Sequence, residues 1–207
     1  MTADMGDLAL LVLAVLCLAV FACLLVKVLK RQAMRIDGLG YALFVEKLRS
    51  PALTVAMKSV SNMASLPVVV GVLVATFIWA PCRIQVMCAA VNVGVISAID
   101  QLLKVLVRRP RPQGYRLVEA PGLSFPSGHS MAAMAFYGYG IWLVQGGAGG
   151  LSSNVFAVMA LACVILAVGV SRIYLGVHYA SDVLGGFCLA LAWLILFVRL
   201  VPPFIAA

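Results

Sequence analysis

Leu8 to Val26 is an unbroken run of 19 apolar residues. A helix that is apolar on every side has no face to offer water, and a run of this length suffices to cross a bilayer. A cleaved signal peptide would need a basic start and a small-residue cleavage site. Here Asp4 and Asp7 precede the run, and Lys27, Lys30 and Arg31 follow it. The run therefore reads as a permanent first span. The rest of the 207 residues agrees: 64% fall in the set AVILMFWYC and only 11% are charged, against about 25% charged in an ordinary soluble domain. This excludes a disordered tail, a disulfide scaffold, a coiled coil and most soluble enzymes.

The expected fold is all-α, a polytopic membrane bundle of six transmembrane helices forming one domain over residues 1–207. After Leu8–Val26, the spans run from about Leu66 to Ala80, Ile84 to Leu103, Ser127 to Val144, Val155 to Val170 and Val183 to Val201. Tyr41–Arg49 and Ala52–Met63 read as short interfacial helices separated by Pro51, their basic side chains toward head groups. Pro81-Cys82-Arg83 reads as a tight turn, and Gln145–Asn154 as an uncharged connector. The six cysteines lie mostly in apolar runs with no C-x-x-C pair, so they read as small packing residues. Six spans place the connections 27–65, 104–126 and 171–182 on one face.

The net charge is +8. In a soluble protein that would point to nucleic acid. In a membrane bundle it points to anionic head groups or phosphorylated substrates, and no nucleic-acid partner is expected.

Three polar segments on the shared face carry the chemistry. Lys104, Arg108, Arg109 and Arg111 form a dense cationic cluster, stiffened by Pro110 and Pro112. Taken alone, such a cluster is most often a juxtamembrane head-group patch. Pro126-Ser127-Gly128-His129 stands just before an apolar run. Serine is a capping type, glycine permits close approach of a ligand, and a helix N-terminus suits an oxyanion. In the third segment, Ser171-Arg172 is followed by His178 and Asp182. If the sixth helix has begun there, the last two share a face. A carboxylate on one ring nitrogen leaves the other free as nucleophile or base. Each segment has a plainer reading as a cap, an interfacial ion pair or a snorkelling arginine. Together they imply an oxyanion site. A cation about 4 Å from a phosphate charge contributes roughly 4 kcal/mol at an effective dielectric near 20, before desolvation is subtracted. No metal or other cofactor is expected: there is no acidic cluster for Mg²⁺ or Ca²⁺, and two histidines without nearby cysteine make no zinc site.

Lys104 and Arg111-Pro112, Pro126-Ser127-Gly128-His129, and Ser171-Arg172 with His178 and Asp182 occur in order and with fixed spacing. In these positions the chain resembles the type 2 phosphatidic acid phosphatase (PAP2) superfamily, which shares its site with vanadium haloperoxidases. The resemblance implies that His178 attacks phosphorus and carries it as phosphohistidine, with Asp182 orienting it. It implies that His129 protonates the leaving oxygen and then activates water. Lys104, Arg111 and Arg172 would clamp phosphate oxygens, and Ser127 and the Gly128 amide would complete the cradle. Ser171 has a supporting role. Arg108, Arg109 and Arg116 fall outside the fixed positions and are assigned to head groups.

The implied protein is a metal-independent lipid phosphatase of the cell membrane. Its substrate is a membrane lipid phosphate of the phosphatidic acid, phosphatidylglycerol phosphate or undecaprenyl pyrophosphate class. A lipid phosphotransferase on the same site and a non-catalytic head-group-binding protein are the alternatives. Many bacterial members place the site on the outer face. By contrast, the positive-inside tendency points to the cytosol, because the site face carries 13 Lys/Arg and the other face only Arg83 and Arg199.

Overall fold

A chain this apolar satisfies its backbone hydrogen bonds within helices, the only local solution available in lipid. The computed structural model describes residues 5–79, 82–146 and 154–200. Among the described residues all regular structure is helical: α1 Met5–Leu29, α2 Arg35–Tyr41, α3 Pro51–Asn62, α4 Leu66–Trp79, α5 Arg83–Val107, α6 Gly128–Val144, α7 Val155–Tyr174 and α8 Ala180–Leu200. The expected turn at Pro81, most of the 145–154 connector and the last residue of the sixth span lie outside the described residues.

Four helices, α1, α5, α7 and α8, are long and apolar enough to cross a membrane, and the pair α3/α4, bent by 53°, is a fifth candidate. The chain is a multi-pass membrane protein. The interfacial region departs from expectation in detail. α2 begins earlier, at Arg35, and passes into a π-helical stretch, Ala42–Lys47. Pro51 does not merely separate two helices. It is the first residue of α3, where its missing N–H costs nothing, and Ser50 caps that end by accepting from the Leu53 amide at 3.3 Å.

α8 is the central element, packed against α1 on one side and α6 on another, with α7 beside α6 and α5 closing the group. On α1 the buried residues are Ala14, Cys17, Phe21, Leu24 and Val28, the alternating three- and four-residue spacing of a helix–helix seam. The remaining apolar faces of α1 are exposed to lipid. Asn92 crosslinks the apolar core: its amide donates to the Ala135 carbonyl at 2.8 Å and accepts from Trp193 Nε1 at 2.8 Å. That ties α5, α6 and α8 at a depth where an unpaired amide would be costly.

Small residues set the closest helix approaches. A Cβ at Gly169 of α7 would stand 2.5 Å from Phe187 Cζ and 2.9 Å from Val183 Cγ1 on α8. Gly94 of α5 has open space instead. Gly169→Ala is expected to destabilise by about 1–3 kcal/mol through overpacking. Gly94→Ala is expected to be neutral or to stabilise by up to about 1 kcal/mol through helix propensity. Thermal midpoints of the two purified variants in one detergent check the contrast.

Candidate active site

The polar groups converge at one end of the bundle, held by two irregular segments. Residues 108–127 form a loop pinned at several points. The Ser124 amide donates to the Arg109 carbonyl at 2.8 Å, and Leu117 to the Leu175 carbonyl at 3.0 Å. Arg49 donates to the carbonyls of Tyr115 at 2.7 Å and Tyr174 at 2.8 Å. Arg49 thus braces the loop to the end of α7. The second segment, 175–179, turns at Gly176 with φ +72°, where a Cβ would meet the Tyr115 carbonyl oxygen at 2.7 Å. Only glycine fits that conformation and that approach.

Two helices run past their expected ends. α5 extends through Val107, so Lys104 lies on a helix and not in a loop, four residues from Asp100. α7 extends through Tyr174 and carries Arg172 in its last turn. The third difference concerns His178. It is not on the sixth helix, which begins at Ala180. The turn delivers it, with its amide donating to the Arg172 carbonyl at 3.3 Å.

His178 and Asp182 are both buried. Arg111 Nη1 donates to His178 Nε2 at 3.0 Å and to the Val177 carbonyl at 3.0 Å. A guanidinium has only donors, so Nε2 must be the acceptor and the ring proton sits on Nδ1. Nδ1 faces Asp182 Oδ2 at 3.5 Å and Ser124 Oγ at 3.5 Å, and Ser124 Oγ donates to Asp182 Oδ2 at 2.5 Å. The serine hydroxyl thus sits beside the carboxylate, and both face Nδ1 at the same distance. The result is a neutral ring with its Nε2 lone pair aimed at a guanidinium.

Burial holds the His178 imidazole down to about 4, helped by the Arg111 and Arg172 charges and opposed by Asp182. Burial also lowers Arg111 from its ordinary value, partly offset by Asp182.

The other expected residues surround this pair. Lys104 Nζ donates to Asp100 Oδ2 at 2.6 Å. Gly128 opens α6 directly above them: a Cβ there would fall 2.7 Å from Asp100 Oδ2 and 3.1 Å from Lys104 Nζ. Ser127 occupies the N-cap position of α6, but its side chain does not cap. Its Oγ accepts from Ser130 Oγ at 2.9 Å, and its amide donates to the Asp182 carbonyl at 3.1 Å. Arg172 donates from Nη1 to Ser61 Oγ on α3. The Nε groups of Arg111 and Arg172 are buried without a partner among the described residues. Orphaned cationic donors of this kind call for an anion.

His129, in the first turn of α6, lines an open cavity of about 460 Å³ together with Arg172, Lys58, Ser59, Asn62 and Leu175. Arg172, His178, Lys104 and Arg111 all bear electrostatically on it. The eight expected site residues thus share one end of the bundle, with both imidazoles among the same cations.

Several residues of this centre carry no signal in the sequence. Arg109, expected at head groups, instead donates from Nη1 to Asp182 Oδ1 at 2.6 Å and from Nη2 to Asp37 Oδ2 at 2.9 Å. Ser124, Asp37 and Ser61 each stand in a stretch with no motif spacing. Asp100 has the signal of a carboxylate four residues before a lysine in an apolar run. Among the described residues no three His, Cys, Asp or Glu side chains are grouped to share a metal ion.

The low value for His178 has a direct consequence. At pH 5 a ring titrating near 4 is about ten-to-one neutral, whereas an ordinary histidine near 6.5 is mostly protonated. Below about 6.5 the unfolded chain takes up a proton that the folded chain refuses, so acid in that window destabilises the fold. Histidine ¹⁵N shifts recorded in the His129→Gln protein are expected to show the neutral Nδ1–H tautomer of His178 at pH 5.

Fold and site together define a helical membrane protein that gathers two histidines, a carboxylate and clustered cations at one end of its bundle. The model of the PAP2 superfamily matches residues 85–206, and the chain belongs to that superfamily. It is 41% identical over 99 residues to phosphatidylglycerophosphatase B of Bacillus subtilis (strain 168), covering 47% of this chain and 49% of that protein. It is 40% identical over 105 residues to decaprenylphosphoryl-5-phosphoribose phosphatase of Mycobacterium tuberculosis (strain ATCC 25618 / H37Rv), covering 49% and 52%. The chain thus spans about half the length of the curated relatives it matches.

Among solved structures, the PAP2 type phosphatidylglycerolphosphate phosphatase from Bacillus subtilis superposes with a TM-score of 0.73 at 25% identity, over 92% of this chain and 98% of that one. The Aquifex aeolicus LpxE structure superposes with a TM-score of 0.64 at 22% identity, over 77% and 92%, a likeness of fold.

Proposed function

We propose that this protein is an integral-membrane lipid phosphatase that removes a terminal phosphoryl group through a phosphohistidine, without a metal ion. The observation that carries the reading is the state of His178: a buried neutral imidazole, its Nε2 lone pair facing Arg111 and its Nδ1 backed by Asp182. For attack, Arg111 Nη1 gives up its bond to Nε2 and donates to an entering phosphate oxygen instead, which leaves phosphorus in front of the freed lone pair. Two curated relatives are phosphatases acting, by their names, on phosphatidylglycerophosphate and on decaprenylphosphoryl-5-phosphoribose, which supports a lipid phosphate as substrate.

In the first step Nε2 of His178 forms the bond to phosphorus while the bond to the leaving oxygen breaks. His129, held protonated by the bound phosphate anion against the surrounding cations, gives that oxygen its proton. In the second step His129 takes a proton from water, the water oxygen bonds to phosphorus, and the phosphorus–Nε2 bond breaks to release phosphate. Asp182 stabilises the positive charge that develops on the His178 ring. Lys104, Arg111, Arg172 and the Gly128 amide neutralise the phosphoryl oxygens, the work that a metal ion does in other phosphatases. The Ser127 hydroxyl belongs to the same cradle.

The molecule is one domain of six crossings, α1, α4, α5, α6, α7 and α8, with α2 and α3 at the interface. The cavity beside His129 receives the leaving group. Its Lys58, Ser59 and Asn62 side chains suit a polar lipid head group, and the apolar outer faces of the helices leave the tails in the bilayer.

Phosphate release by purified protein in detergent with EDTA tests this, across phosphatidic acid, phosphatidylglycerol phosphate and undecaprenyl pyrophosphate. Release on at least one of them with EDTA present is expected. His178→Ala and His129→Ala are each expected to lower turnover by several orders of magnitude while the protein stays folded. Vanadate, which resembles five-coordinate phosphorus, is expected to inhibit. Full activity of His178→Ala, or no release on any substrate, contradicts the proposal.

A further inference from the structure

The carboxylate behind the imidazole is itself held from behind. Arg109 forks between two carboxylates: Nη1 to Asp182 Oδ1 at 2.6 Å and Nη2 to Asp37 Oδ2 at 2.9 Å. Its guanidinium also lies 4.1 Å from the centroid of the Tyr179 ring. Asp37 closes the arrangement from α2. Its Oδ1 accepts from the Ser181 amide at 2.8 Å and its Oδ2 from Ser181 Oγ at 3.0 Å. Ser181 Oγ stands 2.7 Å from Arg109 Nη1 as well. Both side chains of the Asp37–Arg109 pair are largely shielded, 13% and 14% exposed.

We infer that Asp37 is a positioning residue of the reaction centre: through Arg109 and Ser181 it fixes the Asp182 carboxylate, and through that the direction of the His178 ring. The inference rests on the phosphatase reading above and adds to it a residue outside all three sequence motifs, on an interfacial helix.

The physical reason lies in how Asp182 is satisfied. Its Oδ2 is shared among Ser124 Oγ, the Tyr179 amide at 2.9 Å and the more distant His178 Nδ1. Among the described residues Oδ1 has Arg109 as its one charged partner. A guanidinium anchored at one end alone is free to rotate about its long side chain. Anchored at both ends, it is a rigid strut, because its donors are coplanar. Asp37 supplies the second anchor. Without it the carboxylate is expected to turn, and the developing imidazolium loses its stabilising partner in the orientation the reaction uses. Asp37 touches neither the cations of the cradle nor the cavity beside His129, so substrate binding is expected to be untouched.

Asp37→Asn is the informative variant. Its amide oxygen still accepts from the Ser181 amide, so the α2–α8 tether survives, while the charge that holds Arg109 is gone. With the full-length protein in detergent and a lipid phosphate that the wild type hydrolyses, kcat is expected to fall about 10- to 100-fold. KM and the inhibition constant for inorganic phosphate are expected to stay within about twofold, and Asp37→Glu to recover part of kcat. Arg109→Lys keeps the charge but not the fork and is expected to show the same split; it carries the test if Asp37→Asn does not fold. Wild-type kcat in either variant overturns the inference. So does a joint worsening of kcat, KM and the phosphate constant, the mark of a merely structural tether. A wild type that releases no phosphate from any lipid overturns the phosphatase reading, and this one with it.

Discussion

A single buried carboxylate organises the polar end of this protein. Asp182 is fully buried, and an isolated carboxylate there would be prohibitively expensive. It is stable because the chain brings donors to it from separate segments: Arg109 and Ser124 from the long loop, and the Tyr179 amide from the turn before α8. Its own carbonyl accepts from the Ser127 amide at the start of α6. These bonds gather all three sequence motifs onto the first turn of one helix. Asp182 is thus as much the knot of the fold at this end as a partner of His178. The requirement to satisfy it explains why an irregular loop of twenty residues, 108–127, holds a defined path.

The surrounding cations obey the same logic. Arg49 is spent on backbone carbonyls and Arg109 on two carboxylates, while Lys104 gives Asp100 one of its three donors. Arg111 and Arg172 retain buried N–H groups without partners. The division separates guanidinium groups that build the site from those left with capacity for an anion. It is a distinction of bonding, invisible to a count of positive residues.

Much of this was legible in the sequence, and the limits are physical. The helices announce themselves because lipid requires long apolar runs. The site residues announce themselves because oxyanion chemistry needs particular side chains at fixed spacing, and resemblance to a family then assigns their roles. Helix ends were less legible. Lys104 and Arg172 interrupt apolar stretches, which in the sequence reads as an end, while backbone hydrogen bonding carries each helix past them, to Val107 and Tyr174. The helix-packing seams were hidden too. In α1 the buried stripe from Ala14 to Val28 is no more apolar than the faces that meet lipid, so no amphipathic contrast marks it. Ser127 has the type and position of a cap, yet its hydroxyl is engaged by Ser130. Asp37, Ser124 and Arg109 act through contacts between residues far apart in the chain, and only the folded arrangement identifies them.

The claim on which the functional account turns is that the imidazole at 178 becomes covalently phosphorylated. The most direct measurement is trapping and mapping that bond. The His129→Gln protein, which keeps the nucleophile but lacks the group that activates water, is mixed with a lipid pyrophosphate labelled at its terminal phosphorus, whose lipid phosphate leaves without a proton from His129, and quenched in alkali. The account predicts an acid-labile, alkali-stable label on the peptide containing His178, and none when His178 is also replaced. A turnover-competent protein that never carries label on that peptide, or carries it on another residue, would contradict it.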